Sequence, residues 1–205
     1  MSTRIAKASV AMRKAPRQAR SRATVEAVIE AGARILSDEG WAGFTTNKVA
    51  EAAGVSIGSL YQYFPDKDAL VDAVRRRHLE DSLAAVRGAF APGKPLARFA
   101  EDLADAVIAA HRTHPGLHRV LLDQVPVPDN YMDPNDRFEA DYLRCFTQAA
   151  AAYRSRRDGA SNEVVGLIVS DAIDGVVHNA ARRGRLGDGA IRAELIRLVR
   201  LGLSG

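Results

Sequence analysis

Ser56, Ser59, Tyr61, Gln62 and Tyr63 place four hydroxyls and one amide within eight residues. Hydroxyl groups can donate to phosphate oxygens or to base edges. The Gln62 amide matches the N6 and N7 edge of adenine. Gly58, among them, leaves room for close approach of the backbone. Ile57 is the apolar exception, suited to a thymine methyl or to packing. Two flanking residues point to the same chemistry. Thr46 has a hydroxyl and a free backbone N–H to offer at a helix N-terminus, where anions bind. Lys67, just past Pro65, is placed to meet a phosphate. Upstream, Arg4, Lys7, Arg13, Lys14, Arg17, Arg20 and Arg22 form a basic arm that contains no acid. The chain as a whole carries only +4, so the remainder is net acidic. Such an asymmetry suits a polyanion bound at one end of the molecule, and Arg17 and Arg20 are the arm residues expected to touch it.

The elements that must hold these groups are helices. Val25, Val28, Ile29, Gly32, Ile35 and Leu36 recur at three and four, which predicts a helix from about Arg20 to Asp38, with Gly40 just past its end. Trp41 and Phe44 are expected in the core. Thr45 or Thr46 caps a short helix through Val49 and Ala50. Ser56 caps a second one over 57–63, Pro65 stops it, and Asp66 caps a longer one through Leu70, Val71, Val74 and Leu79. The two short helices meet at Gly54, which can take positive φ and so reverse the chain within three residues. Small Ala50 permits a close crossing, and Leu60 points back between the helices. This is a helix-turn-helix whose second helix presents the polar face to a major groove.

The motif then becomes specific. Gly-x3-Phe-Thr-Thr, followed by Val-Ala-x2-Ala-Gly-Val-Ser-x-Gly-x-Leu-Tyr-x-Tyr-Phe-x3-Lys, resembles the DNA-binding domain of tetracycline-repressor (TetR) family regulators over about residues 20–70. The resemblance implies an all-α homodimer with three DNA-binding helices and about six more. It also implies dimerisation through the last two long helices, a palindromic operator in double-stranded DNA, and release by a small-molecule effector. DNA contacts carried over by position fall on Thr46, Ser56, Ser59, Tyr61, Tyr63 and Lys67, with Ile57 at a position that often takes part in base reading. Position 62 varies in the family, so Gln62 comes from its chemistry alone. Repression is the family default.

Behind this unit, further helices are expected at about 96–113, 135–156, 162–183 and 189–203, with a Pro-rich irregular stretch at 125–136. No strand alternation appears, and the β-branched run from Val164 to Val177 fits a helical stripe. The chain therefore divides into a basic arm (1–19), a helix-turn-helix domain (20–68) and a helical effector and dimerisation domain (69–205). Ala172, Ile173, Val176, Ala180, Ile191, Leu195, Leu198 and Val199 are the expected dimer residues, with an intramolecular core as the competing use of the same side chains. The expected effector residues are His78, His111, His118, Gln124, Tyr142, Phe146, Asp174 and His178. Effector binding is expected to tilt the helix that begins at Asp66 and change the spacing of two recognition helices that must sit about 34 Å apart.

Other functions find less support. His111, His114 and His118 have metal-like spacing, but Pro115 interrupts the helix and no Cys or carboxylate completes a set. No metal or cofactor is therefore expected. Cys145 cannot form an internal disulfide, being the only cysteine, and is expected as a small core residue. Gly54-Val55-Ser56-Ile57-Gly58 fits the G-x-S-x-G elbow of a serine hydrolase, but that motif needs a preceding strand. The chain is thus not expected to be an enzyme. A non-specific DNA-packaging protein is the stronger rival, though it would have no need of the large helical body. No uninterrupted apolar run reaches the roughly 18 residues of a membrane span, and no apolar segment follows the basic N-terminus as in a secretory signal. A cytoplasmic protein is expected.

Overall fold

In the computed structural model of the chain, residues 18–126, 137–154 and 159–204 are described. They form helices and no strand. Arg17 and most of the basic arm lie outside the described residues, as does the greater part of the Pro-rich stretch. The chain divides into two compact units, the first ending at Arg77 and the second beginning at His78. The boundary expected from the sequence lies at 68/69, and both positions fall within one helix.

The first unit contains α1 (Ala19–Gly43), α2 (Thr46–Ala52), α3 (Ile57–Tyr63) and the start of α4 (Lys67–Ala89). Its boundaries follow from local chemistry. Gly40 takes φ 70° and interrupts α1, after which a last turn carries the chain to Gly43. Thr45 caps α2 by accepting from the Lys48 N–H at 3.3 Å. Asp66 caps α4 by accepting from the Ala69 N–H at 2.7 Å. Val28, Leu36, Phe44, Val49, Leu60, Phe64, Leu70 and Val74 are buried together as the core of this unit. The first turns of α4 belong to that core, which is why the unit extends past residue 68. A Cβ on Gly32 would come within 3.0 Å of Val74, so glycine there sets how closely α4 crosses α1. Trp41 departs from expectation. It is only partly buried, stacked on Phe44 with ring centroids 5.9 Å apart.

The second unit contains the rest of α4 with α5 (Leu96–Arg112), α6 (Leu117–Asp123), α7 (Arg137–Tyr153), α8 (Asn162–Arg182) and α9 (Gly189–Ser204). In α5 the residues Phe99, Leu103, Val107 and His111 recur at every fourth position and all are buried. Phe99, Leu103 and Val107 join Phe146, Ala150, Val169, Ile173, Val177, Leu195, Val199 and Leu203 in one core. Gly166 lets α8 lie directly on the backbone of α7, since a Cβ there would stand 2.7 Å from the Thr147 nitrogen. Ser161 caps α8 by accepting from the Val164 N–H at 3.2 Å. The length and mean hydropathy of α8, 1.3 over its most apolar window, would allow it to cross a membrane. Asp171 and Asp174 interrupt the run, and its inner face is core of this unit, a setting that produces the same composition. Cys145 is partly buried against the core.

Candidate functional site

Among the described residues, two places gather chemistry-bearing side chains, one in each unit.

In the first unit, α2 and α3 are joined by a turn at Gly54, whose φ of 67° is the left-handed conformation expected of it. Leu60 is fully buried, while Ile57, Tyr61 and Gln62 stand exposed on the outer side of α3. Tyr61 is 40% exposed. Its hydroxyl lies 3.0 Å from the Thr46 hydroxyl, which ties the outer face of α3 to the start of α2. Ser56 caps α3 by accepting from the Ser59 N–H at 3.1 Å, and the two serine hydroxyls are 2.8 Å apart. A Cβ on Gly58 would meet only the Ser56 hydroxyl, at 3.9 Å, so this flank is open to a ligand backbone. Tyr63 is half-buried at the end of the helix. Arg20 is exposed in the first turn of α1.

Lys67 has partners within its own unit. Its ammonium sits 3.5 Å from the centroid of the Trp41 ring and donates to the Trp41 carbonyl at 3.1 Å. Burial lowers its pKa, against the pull of Asp68. The residue thus pins the start of α4 to the end of α1. The G-x-S-x-G match also loses its context, because helix α2 precedes Ser56 where an elbow needs a strand.

The second unit encloses a cavity of about 210 Å³. His78, His111, His118, Tyr142, Asp174 and His178 line it, as the sequence analysis expected. Gln124 and Phe146 do not. Gln124 is exposed at the end of α6, and Phe146 is core, its ring edge-on to Tyr142 at 5.1 Å. Phe138, Ser82, Ser170 and Asp171 line the cavity and were missed. A signal for Phe138 existed, since it stands four residues before Tyr142 on α7 and stacks on it at 5.7 Å.

The two sides of the cavity differ in chemistry. On one, the Tyr142 hydroxyl donates to the Asp174 carboxylate at 2.8 Å. Burial raises the Asp174 pKa to about 6, the Tyr142 hydrogen bond opposing it and Asp171 adding to it. Burial, with the Asp174 charge beside it, also raises the Tyr142 phenol. On the other side are four imidazoles. Burial lowers His78 to about 4, His118 to about 2 and His178 to about 3, helped in each case by neighbouring histidines. Burial lowers His111 too, against a bond to the Val107 carbonyl. All four are therefore neutral at pH 7. By spacing alone the sequence grouped His111, His114 and His118. The fold instead adds His78 from α4 and His178 from α8, and a set of three, His78, His111 and His118, has ring nitrogens within 4.8 Å of one another.

The expected dimer residues split by face. Ile173, Ala180, Leu195 and Val199 are buried in the core of their own unit. Ala172, Val176, Ile191 and Leu198 are partly exposed. The most exposed apolar side chains of α8 and α9 were missed, with Val164, Leu167, Ile168 (60%) and Leu201 (64%) the clearest.

Comparison with known proteins bears on both units. The family described as "Bacterial regulatory proteins, tetR family" matches residues 28–74. That described as "Tetracyclin repressor-like, C-terminal domain" matches residues 95–200, about half of the chain. The HTH-type transcriptional regulator BetI of Burkholderia mallei is 38% identical over 86 residues, covering 41% of this chain and 42% of that one. The nucleoid occlusion factor SlmA of Haemophilus ducreyi is 31% identical over 85 residues, 42% of each chain. The chain thus spans about two fifths of the length of the curated relatives it matches. Among solved structures, a TetR-family transcriptional regulator from Streptomyces coelicolor superposes with a TM-score of 0.63 at 25% identity, covering 89% of this chain and 97% of that one. The fatty acid degradation regulator FadR from Bacillus halodurans has the same fold, with a TM-score of 0.68 at 16% identity over 88% and 98% of the two chains. The chain belongs to the TetR family of bacterial regulatory proteins.

Proposed function

We propose that this protein is a ligand-responsive transcriptional repressor that binds a palindromic operator as a homodimer and is released by a small effector in the cavity of the second unit. The observation that carries the DNA-binding part is the outer face of α3. A buried Leu60 fixes the helix against its unit, and Ile57, Tyr61 and Gln62 are left exposed beside a hydroxyl network of Thr46, Ser56 and Ser59. Dimerisation is supported by the uncovered apolar side chains of α8 and α9, which need a partner surface. Sensing is supported by the cavity, and by α4, which supplies Leu70 and Val74 to the first core and His78 to the cavity. An effector that prefers one setting of α4 shifts the population toward it. The reading assigns no catalysis, because the Ser56 oxygen is engaged as a helix cap, and it places the protein in the cytoplasm with its DNA.

A mobility shift with the DNA flanking its own gene, against a scrambled duplex, tests this. The expected result is selective binding whose log–log salt slope exceeds about 4, at roughly 0.9 per phosphate for five or more contacts. Equal binding to both duplexes would favour DNA packaging and overturn the proposal.

A further inference from the structure

Four helices each send one histidine to the same side of the cavity: His78 from α4, His111 from α5, His118 from α6 and His178 from α8. His78 Nε2 and His118 Nδ1 are 3.0 Å apart. The His118 ring stacks on His178 with centroids 3.4 Å apart, and His111 lies 5.0 Å from His178. His111 is only 6% exposed. Its Nδ1 is 2.8 Å from the Val107 carbonyl, which can only accept, so Nδ1 carries the proton and Nε2 the lone pair. That Nε2 is buried and has no hydrogen-bond partner, and the same is true of His118 Nε2.

Buried polar atoms are nearly always satisfied, and two unanswered imidazole nitrogens in one cavity indicate that something other than protein completes them. The pattern is that of a metal site. Neutral imidazole is a preferred ligand of zinc, copper and nickel ions. A ligating histidine usually donates its other N–H to a backbone carbonyl, as His111 does to Val107. Zinc–nitrogen bonds of about 2.0–2.1 Å in a tetrahedron place the nitrogens about 3.3 Å apart. The set of three lies within 4.8 Å, so the nitrogens have to draw in only slightly to reach that spacing.

We propose that His78, His111 and His118, joined by His178, bind a divalent transition-metal ion of the zinc type, and that this ion is the ligand to which the cavity responds. The second half of the statement rests on reading the chain as a ligand-responsive regulator; the first does not. The ion would crosslink α4, α5, α6 and α8. His78 lies at the start of the α4 segment that belongs to the second unit, so binding there biases the helix shared by both.

The test uses the full-length protein, stripped with a chelator and titrated with Co²⁺ and then Zn²⁺. The expected result is one ion per chain, with the visible absorption of nitrogen-coordinated Co²⁺ bleached as Zn²⁺ displaces it. His118→Gln and His111→Gln each weaken binding by about a hundredfold or more, since even outer partners of a metal site are worth about 10–100-fold. Circular dichroism establishes that each variant is folded, and His178→Gln and His78→Gln serve if His111→Gln is not. No binding by the folded parent, or unchanged binding in His118→Gln, overturns the site. A parallel mobility shift with and without Zn²⁺ separates the two halves. Metal binding without any change in operator affinity overturns the effector role alone. Failure to bind the operator at all overturns the regulator reading and leaves the metal titration standing.

Discussion

Replacing Gly166 by alanine tests whether α8 is seated on α7 as tightly as the geometry requires. An added Cβ would stand 2.7 Å from the Thr147 nitrogen, 2.9 Å from the Phe146 carbonyl carbon and 3.0 Å from the Thr147 Cα. All three atoms are backbone, so no rotamer change relieves the contact and the helices must move apart. Overpacking of this kind costs about 1–3 kcal/mol. Against it, alanine in a helix interior is better than glycine by about 0.5–1 kcal/mol. The net expectation is a loss of about 1–2 kcal/mol. With a urea dependence of about 2 kcal/mol per molar, the midpoint should fall by roughly 0.5–1 M. Gly88→Ala is the control, because Gly88 is also helical but a Cβ there meets nothing within 4 Å. That substitution should hold the midpoint or raise it slightly. The assay is urea denaturation followed by circular dichroism, at one fixed protein concentration because subunit association shifts apparent stability. A Gly166→Ala midpoint at or above that of Gly88→Ala would refute the packing argument.

Thr46→Ala and Tyr61→Phe each remove the 3.0 Å bond between α2 and α3; being at the surface, each should cost only about 0.5–1 kcal/mol of stability while weakening operator binding in a mobility shift, and parental affinity in both would show that the hydroxyl pair is not part of the interface. Stability should fall as pH drops from about 6.5 toward 4. The folded pKa values of His78, His118 and His178, about 4, 2 and 3, lie below the ordinary 6.5, so their contribution is complete above 6.5 and is lost on acidification. Asp174 runs the other way, since its folded value near 6 lies above 3.8 and its share is lost as pH rises through 6; the more numerous histidines should outweigh it, and His118→Gln should flatten the profile seen in urea titrations at several pH values. Ile168→Asp and Leu201→Asp change side chains that are 60% and 64% exposed, so the subunit should stay folded but sediment as a monomer, and an intact dimer in both would place the interface elsewhere.

Much of the first unit was legible in the sequence because what shapes it is local. Gly54 and Gly40 turn where only a left-handed residue fits, and Ser56 and Asp66 cap helices three residues away. The inward Leu60 and outward Tyr61 follow from the helical period. Lys67 shows where locality ends. Its position after Pro65 pointed to a phosphate, and nothing in the sequence showed that its ammonium also meets the ring and carbonyl of Trp41, 26 residues away. In the second unit the sequence marked helices but not their rotation. On α8 and α9 apolar residues occur on more than one face, so periodicity could not separate the buried Ile173 and Val199 from the exposed Ile168 and Leu201. That choice is made by α5 and α7, which cover one side and leave the other bare. The histidine cluster is the clearest case. His111 falls on the buried stripe of α5, four residues after Val107, a signal the sequence did contain. Its convergence with His78, His118 and His178 depends on how four separate helices pack. The sequence by itself determined a family, a helical plan and an exposed polar face on α3, because these rest on interactions a few residues long. Only the tertiary structure decided which polar side chains share a cavity, because burial and distance between remote residues exist only once the helices are packed.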